Sequence, residues 1–141
     1  MDIKFQKLNP NALIPTKTHS FDACLDLVAV TKSYNKELSY IEYGTGLAIE
    51  MPSHCVGLVF PRSSISKTSL SLRNAVGVID SEYRGEIKLR FGIDNASKVE
   101  YSLLNKIGQL MILELPNLEI QEVSKLSKTS RGKGGFGSTG I

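Results

Sequence analysis

The sequence predicts an all-β fold of sandwich, barrel or jelly-roll type, and three observations carry the prediction. Short apolar stretches recur near residues 3–8, 25–30, 40–43, 47–51, 55–60, 87–93 and 110–115. Polar or Gly/Pro/Asn/Ser punctuation separates them, as it separates the strands of antiparallel sheets. Only residues 63–72 leave room for a short helix, and strands at this spacing belong to sandwiches and barrels.

Taken in order, residues 1–8 alternate like a strand and lack the hydrophobic block of a signal peptide. The expected compartment is therefore the cytosol, or the host cytoplasm if the chain is viral. Residues 31–39 read as a polar loop or hairpin connection. Cys24 and Cys55 lie in strand-like apolar surroundings without metal-ligand spacing, which predicts reduced core thiols. His19 and His54 are isolated, and each reads as a surface or cap residue. The Asn95-Ala96-Ser97 sequon carries no meaning in a cytosolic chain. At 141 residues the chain has the size of one domain, assigned to residues 1–123. No apolar run approaches the ~20 residues that span a bilayer. A net charge of +3, without a Lys/Arg stripe or interleaved aromatics, argues against a nucleic-acid groove.

Residues 74–91 read as a β-hairpin that carries functional groups. Val76, Val78, Ile87, Leu89 and Phe91 alternate with other residue types around a turn-prone Asp-Ser-Glu-Tyr-Arg-Gly segment. Gly77 lets a flat ring approach the backbone, and Asn74 offers an amide with donors and acceptors. Asp80, behind two apolar residues, is expected to be partly shielded from water and so a better base. The same residues equally describe an ordinary hairpin with a bulge at Gly77 and a turn opened by Asp80.

From residue 124 the composition becomes Ser/Lys/Gly-rich and cannot build a core element, so 124–141 reads as a flexible tail. Within it Phe136 stands among glycines, flanked by Arg131, Lys133, Ser138 and Thr139. A guanidinium, hydroxyls and exposed backbone N–H groups suit a phosphate chain, and a lone Phe suits stacking on a base. The P-loop spacing is absent. The hydroxyls and N–H groups of Pro61-Arg62-Ser63-Ser64-Ile65-Ser66 also suit phosphate, or serve as a plain N-cap.

In this order the segments resemble the five motifs of the trimeric dUTPase family, whose members hydrolyse dUTP to dUMP and pyrophosphate. Ala23-Cys24-Leu25-Asp26-Leu27 resembles the first motif and Pro61-Arg62-Ser63-Ser64 the second. Residues 74–85, from Asn74 to Gly85, resemble the third, Lys106-Ile107-Gly108-Gln109-Leu110 the fourth, and residues 131–140 the fifth. The resemblance spans nearly the whole chain and implies the jelly-roll-like dUTPase fold.

The resemblance further implies that Asn74 and the backbone of Gly77, Val78 and Ile79 read the pairing edge of uracil, with no room for a C5 methyl. Tyr83 would pack under the deoxyribose and exclude a 2′-hydroxyl. Asp80 would activate water for in-line attack on the α-phosphorus. Ser63, Ser64 and Gln109 would hold the α/β phosphates, braced by Arg62. Arg131, Ser138 and Thr139 would close on the outer phosphates, and Phe136 and Gly137 on the base. Asp26 would serve the metal–water network or pair with Arg62. Mg²⁺ chelated by the triphosphate, and a homotrimer sharing its sites through the tail, are implied with them.

Four residues depart from the family pattern. Cys24 and Ser64 stand where glycine is usual, Lys106 replaces an arginine, and Glu82 an aspartate. Two other readings were weighed. A dCTP deaminase needs a glutamate about ten residues after Asp80, where this chain has Arg90. A nucleotide-binding regulatory module is the other, and intact Asp80 and tail argue against lost catalysis.

Overall fold

Ten strands and one 3₁₀ turn make up the described part of the computed structural model, residues 1–93 and 99–140. The Asn95-Ala96-Ser97 sequon lies outside the described residues. Strands β1 (Lys4–Lys7) and β5 (Leu47–Glu50) pair as a two-stranded ribbon. Strands β2 (Leu25–Val28), β10 (Lys106–Glu114), β6 (Cys55–Phe60) and β8 (Gly77–Asp80) form one sheet in that order. Strands β3 (Thr31–Asn35), β4 (Tyr40–Gly44), β9 (Lys88–Ile93) and β7 (Leu70–Leu72) form the other. Every pairing is antiparallel. Each apolar stretch seen in the sequence falls on a strand, and the architecture is a jelly-roll-like sandwich. No helix among the described residues is long and apolar enough to cross a membrane.

Three expectations change. Residues 31–39 are not only a connection, because β3 pairs with β4 from Thr31↔Gly44 to Asn35↔Tyr40. As a sheet edge with one face in water, β3 lacks the apolar run that marks the inner strands. Residues 63–72 divide into the 3₁₀ turn Ser63–Lys67 and β7.

The third change concerns the hairpin. β8 pairs with β6, whereas β9 pairs with β4 and β7, so residues 81–87 strap one sheet to the other. Alternation reports which residues face inward and says nothing about which strand lies alongside. The inward parity of β8 also differs from the reading, since Ile79 is buried and Val78 is 65% exposed.

One core joins the inner faces of both sheets. Leu27, Val59, Ile79, Ile107 and Leu110 come from the first, and Ile41, Tyr43, Leu70, Leu89 and Phe91 from the second. At its centre Tyr43, Phe91 and Tyr101 meet edge to face, with centroids 5.7 to 6.3 Å apart. The Tyr43 hydroxyl donates to the Tyr101 carbonyl at 2.8 Å, which keeps a buried polar atom paired. Lys32 salt-bridges Glu100 at 2.7 Å and donates to the same Tyr101 carbonyl at 3.1 Å, fastening that segment to β3.

Phe91→Ala removes the ring at the centre of this core, and its unfolding free energy should fall by about 3–5 kcal/mol. Denaturant titration checks this, and a loss below about 1 kcal/mol would contradict the central role of the cluster.

Candidate active site

Two clefts hold most of the residues before the tail that the sequence singles out, and they share no lining residue. The first, of about 540 Å³, lies along β8 and is lined by Asn74, Gly77, Val78, Ile79, Asp80 and Tyr83, with Arg73 and the β9 residues Lys88 and Arg90 on its rim. The second, of about 520 Å³, gathers Asp26 of β2, Arg62 and Ser63, and Lys106 and Gln109 of β10.

The first cleft is shaped by a turn and a strap. Ala75 adopts φ 58°, a left-handed conformation that costs a side-chain-bearing residue roughly 1–2 kcal/mol, while its N–H donates to the Leu72 carbonyl at 3.1 Å. The strained turn brings the Asn74 amide nitrogen over Gly77, 3.5 Å from where a Cβ would stand. Because Ile79 fills the core, its neighbours Val78 and Asp80 face outward, and Asp80 is exposed. The partial shielding expected of this carboxylate is not found in the single chain.

Beyond Asp80 the strap closes on itself. The Tyr83 N–H donates to the Asp80 carbonyl at 3.0 Å, and the Tyr83 hydroxyl to the Glu86 carbonyl at 3.0 Å. Arg84 donates to the carbonyls of Ser81 at 2.6 Å, Tyr83 at 3.2 Å and Ile49 at 3.4 Å, which gathers the strap onto β5.

In the second cleft both oxygens of Asp26 are engaged. Oδ1 meets Arg62 Nε at 2.7 Å and Oδ2 meets Lys106 Nζ at 2.7 Å. The β10–β2 register shifts between Lys106 and Gly108, a bulge of the sort that re-aims a side chain. Gln109 lies opposite Asp26 on β2 and Phe60 on β6, and its amide donates to the Pro61 carbonyl at 2.9 Å. The Asp26–Arg62 pair was one of the two roles the family resemblance allowed. No group of three or more His, Cys, Asp or Glu side chains among the described residues is placed to hold a metal ion.

Ser64 lines neither cleft, because its hydroxyl is within 3.2 Å of Tyr101 Oη, pinning the 3₁₀ turn to the core. Neither Ser64 nor Cys24 is among the described residues with positive φ, so replacing the usual glycines strains neither backbone. Cys24 and Cys55 are free thiols; Cys55 is buried and Cys24 half-buried. Arg131, Phe136, Gly137, Ser138 and Thr139 line neither cleft, and Phe136 is fully exposed at φ 47°. The tail folds on itself through local turns, among them Arg131 Nε to the Gly134 carbonyl at 2.9 Å.

Thr16, Thr18, His19 and Asp22 in the second cleft, and Arg73 in the first, do not stand out in the sequence as site residues. The hydroxyl-rich Thr16-Lys17-Thr18 run just before the first motif was a signal available for part of this set.

Asp80 and Arg62 stand at opposite ends of β6 in one chain. Asp80 lies opposite Val56, near the start of β6, whereas Arg62 follows the other end of that strand. The four steps from Val56 to Phe60 alone span ~13 Å at strand rise.

The chain is a jelly-roll-like sandwich with one cleft beside an exposed carboxylate and a separate cleft lined by hydroxyls and charged side chains, an arrangement with room for a base and for phosphates. The dUTPase family model matches residues 10–140, and the chain belongs to the dUTPase family. It is 38% identical to the deoxyuridine 5′-triphosphate nucleotidohydrolase of Clostridioides difficile, over 99% of each chain. It is 37% identical to that of Clostridium acetobutylicum, over 100% of this chain and 98% of the relative. Among solved structures, a dUTPase variant of Staphylococcus bacteriophage 80alpha with dUpNHpp superposes with a TM-score of 0.84 over 99% of both chains at 23% identity. A dUTPase variant of phage phi11 of S. aureus, described with a structural Mg(II) ion, superposes at 0.74 over 89% of this chain and 98% of its own, at 21% identity. These two structural likenesses speak to the fold.

On the rim of the first cleft, Glu42 accepts from Arg90 at 2.7 Å and from Lys88 at 3.0 Å. Burial alone would raise its pKa, but the two cationic hydrogen bonds outweigh that and hold the carboxyl below the usual glutamate range. A depressed folded pKa contributes stability in full above the unfolded value, and this is lost as pH falls through the folded value. Glu42→Gln should therefore melt lower than wild type at pH 7, with the gap narrowing below about pH 4. Thermal melts from pH 3 to 7 check this, and a constant gap would contradict it.

Proposed function

We propose that the chain hydrolyses dUTP to dUMP and pyrophosphate by in-line attack of water on the α-phosphorus, and that three copies share each site. The observation that carries the reading is the division of labour between the clefts. Residues suited to a base and sugar line β8 on one side of β6, and residues suited to phosphates line a separate cleft, whose Arg62 follows the end of β6 away from Asp80. A nucleotide whose α-phosphorus must sit within a few ångströms of both Asp80 and the cations needs the first cleft of one copy against the second cleft of another.

In that reading Asn74 and the backbone of Gly77, Val78 and Ile79 hydrogen-bond uracil, and Tyr83 supports the deoxyribose. Asp80 orients and deprotonates the attacking water, and burial against a neighbouring copy supplies the shielding that the single chain lacks. Arg62 and Lys106, held in place by Asp26, stabilise the charge that develops on the phosphates, with Ser63 and Gln109 supplying hydrogen bonds. Ser64 acts through its N–H, its hydroxyl being turned to Tyr101. Residues 1–123 form the domain and 124–141 the tail that closes the site. Arg131, Ser138 and Thr139 meet the outer phosphates, while Phe136 and Gly137 cover the base. Mg²⁺ enters with the triphosphate, whose charge it neutralises. The reading places the enzyme in the cytoplasm, acting on free nucleotides rather than on nucleic acid.

Pyrophosphate release with Mg²⁺ should be rapid from dUTP and slow from dTTP, UTP and dCTP. Ammonia from dCTP, or no reaction on any of the four, would overturn the reading. Asp80→Asn should retain nucleotide binding while kcat falls about 10²-fold or more, since an amide cannot accept the proton. A near-normal kcat would remove Asp80 from the role of base. Deleting residues 131–141 should sharply lower kcat/KM and leave the melting temperature near wild type, because the segment adds nothing to the core. An unchanged kcat/KM would make the tail a linker.

A further inference from the structure

We infer that Gly85 and the Glu86 carbonyl form a backstop that fixes the Tyr83 ring, making Gly85 a positioning residue for the sugar pocket; this rests on the dUTP reading of the site. Tyr83 lines the first cleft, and Gly85, outside its lining, packs against the hydroxyl end of the ring. A Cβ at position 85 would overlap Tyr83 Oη and lie 2.5 Å from Cζ and 2.8 Å from Cε2. All three of its nearest neighbours belong to that one ring. Gly85 is not among the glycines with positive φ, so its backbone admits alanine without strain and the nearest conflict is with Tyr83.

The backstop is itself anchored. The Tyr83 hydroxyl donates to the Glu86 carbonyl at 3.0 Å, and the Glu86 carboxylate accepts the Gly46 N–H at 2.8 Å, which ties the strap to the turn before β5. A ring held at its tip and pressed against a bare backbone has one position, and a platform with one position discriminates between sugars that differ by a single hydroxyl. Adding a methyl at residue 85 drives the ring toward the cleft by roughly 1 Å, the gap between the clash and ordinary van der Waals contact.

A double-mutant cycle on the full-length enzyme tests this, with kcat/KM for dUTP and UTP and the melting temperature measured for wild type, Gly85→Ala, Tyr83→Leu and the pair. Gly85→Ala should lower kcat/KM for dUTP about tenfold, mainly through KM, and shift the dUTP to UTP ratio. In the Tyr83→Leu background the same alanine should change kcat/KM by less than about twofold and leave the melting temperature unmoved, because the ring it collides with is gone. Equal costs in both backgrounds would overturn the inference. If Gly85→Ala alone fails to fold, the pair should fold, and an unfolded pair would overturn it equally. Wild-type inactivity on dUTP would overturn the site reading instead, and coupling in the melting temperatures would still decide the backstop.

Discussion

Tyr101 is the residue through which the core and the second cleft depend on each other. Its ring packs on Tyr43 and Phe91, its carbonyl takes hydrogen bonds from Tyr43 and Lys32, and its hydroxyl meets Ser64. One side chain thus spans from the inner face of the second sheet to the turn that presents Arg62 and Ser63. Removing that side chain would take the hydroxyl partner from Ser64 and free the 3₁₀ turn at once, a cost added to the loss of apolar area.

β6 plays the complementary part by separating the halves of the site. It lies between β10 and β8, with Asp80 across from one end and the Arg62 turn following the other. A stiff strand is a poor hinge, so one chain has no local motion that would bring the two ends together. In the proposed reading a second copy supplies what one chain cannot, and Asp80 stands exposed in the single chain for that reason.

The strands were legible in the sequence because each inner strand carries its own apolar run. β3 escaped because Lys32 and Ser33 belong to an edge, where neighbours and solvent rather than propensity decide the conformation. The 74–91 segment reads as a hairpin in the sequence and is not one, since the pairing of β8 with β6 is set by residues about twenty positions away. At the site, residue types at motif spacing pointed to Asp80, Tyr83 and Asp26. Spacing could not show that Lys106 would share the Asp26 carboxylate, or that the Ser64 hydroxyl would turn to the core. Those facts depend on contacts between segments distant in sequence.

Arg84 gives the strap a property with kinetic meaning. With one guanidinium nitrogen meeting three carbonyls, the wall that carries Asp80 and Tyr83 is ordered when the chain folds. An incoming base meets a finished surface and no loop has to be organised on arrival, which favours fast capture. In the proposed reading the tail, with Phe136 fully exposed, has its ordering still ahead of it. Recognition and closure would then run on separate clocks, the first near the pace of diffusion and the second at the pace of a chain segment finding its seat.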